Sequence, residues 1–315
     1  MPTILITTDY LLPGDEVDAY LTGLGFTTRH DPMRGPRDQD QLIAALADVD
    51  GALIANEPMT AHVLRHAPTL KAIVRTGVGY DSVDVDAATG LGISVSNLPG
   101  VNANAVAEYT IGLMLAQARR LVPMAAAVRG GGWPRRDGFE LRGKTLGLIG
   151  WGAAARAVAP LAAAFGMRVL CHTSVPDAES AGLDEVLRES DFVSVHTALT
   201  GRTRNLIDAA AIARMKPTAH LINTARGPIV DENALAEAVR AGRIAGAALD
   251  VVGTEPLPEA SALRGVDGLE IYSHMAGQTV EARRAAGLDG ATELVAALAG
   301  RPASSVNAHL TGERP

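Results

Sequence analysis

The sequence, 315 residues long, predicts an α/β protein built as two doubly wound parallel-sheet domains. Three observations carry this. Short apolar runs alternate with segments of helical periodicity, which favours parallel strands joined by crossover helices. Residues 144–160, KTLGLIGWGAAARAVAP, set a buried-strand pattern against a glycine turn and an alanine-rich helix. Several later runs end on a polar residue, and open α/β sheets bind ligands just beyond their carboxyl strand ends.

Taken in order, residues 3–7 form a β-rich run, and similar runs recur at 52–54, 72–75 and 93–96. Helix-patterned pieces at 40–47 and 60–66 separate them, so the first hundred residues read as one small α/β unit. A longer helical pattern covers 101–121, with Asn102 or Asn104 able to cap its start and Pro123 closing it. Three glycines at 130–132 then open an irregular arm that runs to residue 141 and carries Trp133 and Phe139. Two large aromatics on an irregular stretch suit a partner surface, so a homodimer through the 101–121 helix and the 130–141 arm is expected.

The second unit starts at Lys144. Gly150, Gly152 and Ala155 fall in a G-x-G-x-x-A pattern between a strand and a helix. Gly150 permits the turn, Gly152 lets a pyrophosphate approach the backbone, and Ala155 allows close packing of helix on strand. Further strands are expected at 168–171, 192–196, 220–223, 245–249 and 269–272, with a helix starting at Asp231. The polar residues at or just past their ends are Thr173, His196, Asn223, Asp250 and His274. An Ala-rich helix over 280–298 and a tail from 301 follow, and the tail is expected to return to the first unit. That makes the first domain discontinuous, 1–98 plus 285–315, around a second domain over 99–284.

Composition bounds the function. There are 28 Lys and Arg against 35 Asp and Glu, a formal charge of −7, and no basic block interleaved with aromatics. Nucleic-acid binding is not expected. No stretch approaches the roughly 18 apolar residues of a membrane span. The N-terminal residues carry no secretory pattern, and Cys171 is the single cysteine. A cytoplasmic protein is the expectation. The histidines at 30, 62, 66, 172, 196, 220, 274 and 309 show no metal-ligand spacing, so no metal is expected. Of these, His30, His62, His66, His220 and His309 read as structural or surface residues. The stripe Val106, Tyr109, Leu113 and Leu115 reads as core packing, and no G-x-S-x-G elbow supports a hydrolase.

Arg226, Glu255 and His274 follow three successive strands of one sheet. A guanidinium there can hold a carboxylate through two parallel hydrogen bonds. A carboxylate beside an imidazole orients the ring and favours its charged form for acid/base work. Asp250 can accept a hydrogen bond from a carboxamide.

These motifs, in this order, resemble the D-isomer-specific 2-hydroxyacid dehydrogenases, most closely the short members related to phosphoglycerate dehydrogenase. VRTGVGYDSVDVDAA is similar to the family's substrate loop, PGVNANAVAEYTIGLMLAQAR to its long helix and GKTLGLIGWG to its nucleotide turn. MKPTAHLINTARGPIVDENAL, AGAALDVVGTEP and SHMAGQTVEA are similar to its catalytic blocks. The resemblance implies a flavodoxin-like substrate domain and a Rossmann domain that binds NAD(P). It implies that His274 exchanges the proton with Glu255 as partner, and that Arg226 binds the substrate carboxylate, aided by the backbone N–H groups of Val78 and Gly79. Arg75 and Asn97 would complete the substrate set. The cofactor would contact Gly150, Trp151, Gly152, Ala153, Ala154, His172, Thr173, Ser174, His196, Thr197, Ala198, Thr203, Thr224, Ala225, Asp250 and Gly277. The same resemblance implies two-fold pairing with a second copy and a small 2-keto or 2-hydroxy acid as substrate.

Two departures follow. Ala153–Ala155 replace the family's usual R-I-G, removing a side chain near the phosphates. Thr173 stands where NAD-preferring members carry Asp, so neither repulsion nor attraction of a 2′-phosphate is provided; NAD(H) is favoured and NADP(H) remains admissible. For the substrate, Arg75, Arg135 and Arg136 favour a phosphorylated acid such as 3-phosphohydroxypyruvate. Asn56, in place of a usual Arg, favours hydroxypyruvate or glyoxylate. A nucleotide-sensing scaffold without catalysis is the rival, since the family contains corepressors, but their extensions are not evident here.

Overall fold

The computed structural model describes residues 1–32, 38–174 and 180–308. His309 and the last residues of the tail lie outside them. The described chain divides into two units, one of residues 1–102 and 279–315 and one of residues 103–278.

In the first unit, β1 (Thr3–Ile6), α1 (Glu16–Gly23), β2 (Thr27–His30), α2 (Gln39–Ala45), β3 (Gly51–Ile54), α3 (Ala61–Arg65), β4 (Ala72–Arg75), α4 (Val85–Gly90) and β5 (Ser94–Ser96) follow in turn. They form a parallel five-stranded sheet ordered β2-β1-β3-β4-β5 among the described residues. The central strands are apolar on both faces: every residue of β3 and three of four in β1 and β4 are buried. Helices on either side give a parallel sheet that pattern. The edge strand β2 reads TTRH and is half-exposed. An edge strand of polar residues has no apolar run to announce it.

The second unit opens with α5 (Ala103–Arg119) and α6 (Leu121–Arg129). It continues through β6 (Thr145–Ile149), α7 (Ala153–Ala164), β7 (Arg168–His172), α8 (Leu183–Glu189), β8 (Phe192–Val195), α9 (Ala209–Ile212), β9 (His220–Asn223), α10 (Glu232–Arg240), β10 (Gly246–Leu249) and β11 (Leu269–Ile271). The sheet is parallel throughout, ordered β11-β10-β9-β8-β6-β7 among the described residues. Its order reverses between β8 and β6, and ligands of open sheets bind at such switch points. Leu146, Leu148, Ala155, Val158 and Ala162 pack α7 on β6, while Ala107, Ile111 and Met114 bring α5 to the same cluster.

Several details differ from the sequence reading. Pro123 does not close the long helix. The chain breaks at Arg120, which is left-handed at φ 53°, and Pro123 then sits in the first turn of α6. Proline is tolerated there because a first-turn N–H has no helical partner. Asn104 spends its side chain on Glu108, 3.0 Å away, rather than on a cap. Phe139 turns inward: its ring lies 5.9 Å from Phe192 and 5.7 Å from His220, so the far end of the arm packs on its own sheet. Trp133 is 83% exposed, and α6 buries none of its residues.

The division between units falls at 102/103 and 278/279 rather than 98/99 and 284/285. The reason is α11 (Val280–Leu298), a continuous helix capped by Thr279 that packs as a whole in the first unit against β3 and β4. The tail returns there too. Val306 N–H donates to the Val95 carbonyl at 2.8 Å, and the fully buried Asn307 receives the Val95 N–H and donates to Thr89 and Ile93. The buried Glu293 accepts from Ser96, Ala303 and Ser304.

Candidate active site

In the second unit three loops at adjacent strand ends meet. His274, just past β11, is left-handed at φ 59°. A bulky side chain there costs on the order of 1–3 kcal/mol and persists only where its surroundings hold it. Asp250, at the end of β10 and 1% exposed, provides that hold. Its carbonyl accepts from His274 N–H, and its two carboxylate oxygens accept from the N–H groups of Met275 and Ala276, each at 2.8 Å.

His274 Nδ1 lies 2.9 Å from Glu255 Oε2. A carboxylate can only accept, so Nδ1 carries the hydrogen and Nε2 is left to exchange a proton. Glu255 Oε1 accepts from the Val252 N–H at 3.2 Å, which fixes both oxygens. Burial works to raise the Glu255 carboxyl, but the hydrogen bond and charge of His274, the Val252 amide and the Arg226 guanidinium outweigh it. The carboxyl titrates below its ordinary value and stays ionised at neutral pH.

Arg226 follows β9, its loop shaped by Asn223, whose side chain donates to the Arg226 carbonyl at 2.9 Å and accepts from Ala225 N–H at 3.0 Å. A Cβ on Gly227 would overlap the backbone of Val252 and Gly253. Only glycine lets the Arg226 loop lie directly on the loop that carries Glu255.

The glycine turn after β6 leads into an uncapped helix start. Gly150 has φ +104°, and a Cβ on it would come within 2.6 Å of the His196 carbonyl. Gly152 is the N-cap of α7 with no side-chain cap, and a Cβ on it would meet open space. The first-turn N–H groups of Ala153, Ala154 and Ala155 make no hydrogen bond among the described residues. Such a start is an anion site, and these residues fit a dinucleotide pyrophosphate. Trp151 is half-buried, and its carbonyl accepts from Arg156 Nε at 3.2 Å.

Other expected cofactor contacts line these strand ends. His172, at the end of β7, bonds the Ala181 carbonyl at 3.0 Å, and Thr173 N–H donates to Ser180 at 3.0 Å. Ser174 is exposed. His196 Nε2 meets Ser194 at 2.9 Å, and desolvation lowers its imidazole to about 4, so it is neutral. Thr197 lies against Gly150, and Thr203 donates to the Ala198 carbonyl at 2.6 Å. Thr224 faces Thr110 at 3.4 Å, beside Ala225, and Gly277 closes the His274 loop.

In the first unit, Val78 is exposed, and neither its N–H nor that of Gly79 is bonded among the described residues. Asn97 donates to the Val78 carbonyl at 2.6 Å, so it acts on the loop that presents those amides. Arg75 Nη2 donates to Asn56, and its guanidinium lies over Gly77.

Three residues escape the sequence reading. Tyr109 stands beside Asp250: burial of the ring and that carboxylate push its phenol up to about 12. Arg156 folds back over the turn at which the family's Arg is missing. Glu232 accepts the Gly253 N–H at 2.5 Å. Helical spacing hinted at Arg156, three residues after Ala153 and on the same face; nothing in the sequence signalled the other two.

Residues 111–276 match the model of the D-isomer specific 2-hydroxyacid dehydrogenase, NAD binding domain. The chain is 39% identical over 303 residues to a glyoxylate reductase of Thermofilum pendens, covering 91% of this chain and 89% of that one. It is 40% identical over 277 residues to a D-3-phosphoglycerate dehydrogenase of Mycobacterium leprae, covering 84% of this chain and 52% of that one. Among solved structures it is similar to the TT0316 protein of Thermus thermophilus, with TM-score 0.87 and 36% identity over 96% of this chain and 99% of that one.

Proposed function

The chain belongs to the D-isomer specific 2-hydroxyacid dehydrogenase family, oxidoreductases acting on CH–OH donors, and from that premise we propose that it reduces a short, unphosphorylated 2-keto acid with NAD(H). The observation that carries the reading is the linked set of Arg226, Glu255 and His274 on three adjacent strand ends. When bound at the α7 start, the nicotinamide cofactor supplies the hydride. His274 Nε2 gives the keto oxygen its proton, Glu255 holds the ring and balances its charge, and Arg226 binds the carboxylate and polarises the carbonyl. Asp250, its carboxylate already set by two amides, retains acceptor capacity for the carboxamide. In the first unit the bare amides of Val78 and Gly79 suit a carboxylate oxygen.

The sequence leaned toward a phosphorylated substrate through Arg75. One observation moves the reading to glyoxylate or hydroxypyruvate: Asn56, standing where a phosphate-binding Arg is usual, takes one Nη of Arg75. Nicotinamide absorbance with glyoxylate, hydroxypyruvate and 3-phosphohydroxypyruvate tests it. The two short acids turn over with higher kcat/KM, and His274→Ala lowers kcat by about 10²–10⁴-fold. A best rate with the phosphorylated acid, lost in Arg75→Ala, restores the other reading; no turnover of any acid leaves the scaffold.

Thr173 and Ser174 add no charge near the ribose, so NAD(H) is preferred over NADP(H) by about one to two orders of magnitude. The expected dimer surface shifts, since most of α5 is buried: two copies pair through α6, whose Leu121, Val122 and Val128 are exposed together with Trp133 of the arm. Sedimentation at micromolar concentration reads a dimer, and Trp133→Glu with Val122→Glu gives a monomer.

A further inference from the structure

Glu232 opens α10, yet that helix does not need it as a cap. Asp231 already accepts the Ala234 N–H at 3.0 Å, the bond an N-cap supplies. The Glu232 carboxylate instead accepts the Gly253 N–H at 2.5 Å, twenty-one residues on. Gly253 adjoins Val252, whose own N–H is held by Glu255 Oε1. Two consecutive amides of one loop are therefore gripped by two carboxylates, one of which also holds His274. Gly227 packs against the same loop, since a Cβ there would meet the Val252–Gly253 peptide. Charge-assisted bonds of this kind are the strong ones.

We propose that Glu232 is a positioning residue that sets the loop carrying Glu255 and, through Glu255, the placement of the His274 ring. The inference rests on the catalytic roles given above. With Glu232 intact, Glu255 Oε2 holds His274 Nδ1 at 2.9 Å. Without it, one amide of the loop is released and the Glu255–His274 pair loosens. A carboxylate close by favours an imidazolium, so a looser pair draws the alkaline limb of the rate profile to lower pH.

The test compares wild type, Glu232→Ala, Glu232→Gln and Glu232→Asp. Reduction requires protonated His274, so kcat/KM falls as pH rises through its apparent pKa. In Glu232→Ala that limb moves to lower pH and kcat drops about tenfold, while NADH affinity by fluorescence titration is unchanged. Glu232→Gln keeps an acceptor oxygen and restores most of both; Glu232→Asp, one methylene short, does not, and it serves should the alanine variant fail to fold. An unmoved limb with only a lowered melting temperature overturns the proposal, as does Glu232→Gln losing as much as Glu232→Ala. If His274→Ala and Glu255→Ala also leave the limb in place, the catalytic reading fails instead.

Discussion

At the start of α10, Asp231 caps the helix and Glu232 reaches across to Gly253, so both side chains are committed to the protein itself. At the start of α7, Gly152 offers no side chain, the first turn holds no acid, and a Cβ on Gly152 would meet open space. One helix start has been closed by carboxylates, the other left for an anion to close. A cap is worth about 1 kcal/mol of stability, and at α7 that stability is absent until a phosphate arrives. The difference separates a helix start closed by the fold itself from one whose first-turn amides are left open.

The sharpest way to break this contrast is to give α7 the cap it lacks. Gly152→Asp has room for its side chain, since nothing lies within 4 Å of a Cβ there, and φ −76° suits any residue. The variant should melt higher, by about 0.5–2 kcal/mol of added stability, and bind NADH at least an order of magnitude more weakly, because its carboxylate fills the anion site. Calorimetry and fluorescence titration read the two opposed signs. Weaker melting together with unchanged NADH affinity would place the phosphate elsewhere.

A smaller effect is expected from Arg156. Helical side chains lean toward the N-terminus, and Arg156 bends over the turn to the Trp151 carbonyl with its terminal nitrogens unbonded among the described residues. Arg156→Ala should weaken NADH and NADPH alike, by about three- to tenfold for an exposed charge, and should flatten the salt dependence of binding. A loss confined to NADPH would move that guanidinium to the 2′-phosphate.

The least direct test uses two buried histidines, His196 just past the end of β8 and His220 at the start of β9. Burial, with the Arg120 charge adding to it, lowers His220 to about 4, and burial lowers His196 likewise. The unfolded chain takes up a proton near pH 6.5 that the folded chain refuses until near 4. Their contribution is therefore complete above about 6.5 and is lost as pH falls toward 4. For the buried His220 the full loss is on the order of 3 kcal/mol. Melting measured at pH 7 and 4.5 should fall less in His220→Gln than in wild type.

Much of the fold was legible because parallel strands buried on both faces must be written as apolar runs; β4 and β9 lie where the sequence placed them, at 72–75 and 220–223. The strand β2 was not, since TTRH at a sheet edge obeys no such requirement. In the site, strand-end position picked out Arg226, Asp250, Glu255 and His274 because sheet geometry fixes where those residues lie. Glu232, Tyr109 and Arg156 act through contacts across loops or along a helix face, and an exposed-looking Glu at a helix start reads the same whether it bonds water or Gly253. Phe139 misled for a related reason: no local pattern announces a ring that packs, tilted, on Phe192 and His220 from an irregular stretch.

The return of the tail sets an order of events during synthesis. Val95 and Ile93 wait for Asn307, and the β3 and β4 strands wait for α11, while residues 103–278 hold all the strands of their own sheet. At about 5–20 residues per second the ribosome leaves the N-terminal sheet uncovered for roughly ten to forty seconds. The nucleotide unit can fold in that interval. The apolar face of β3 and β4 that α11 later covers is then the chain's exposed surface, and it is the segment a chaperone would meet first.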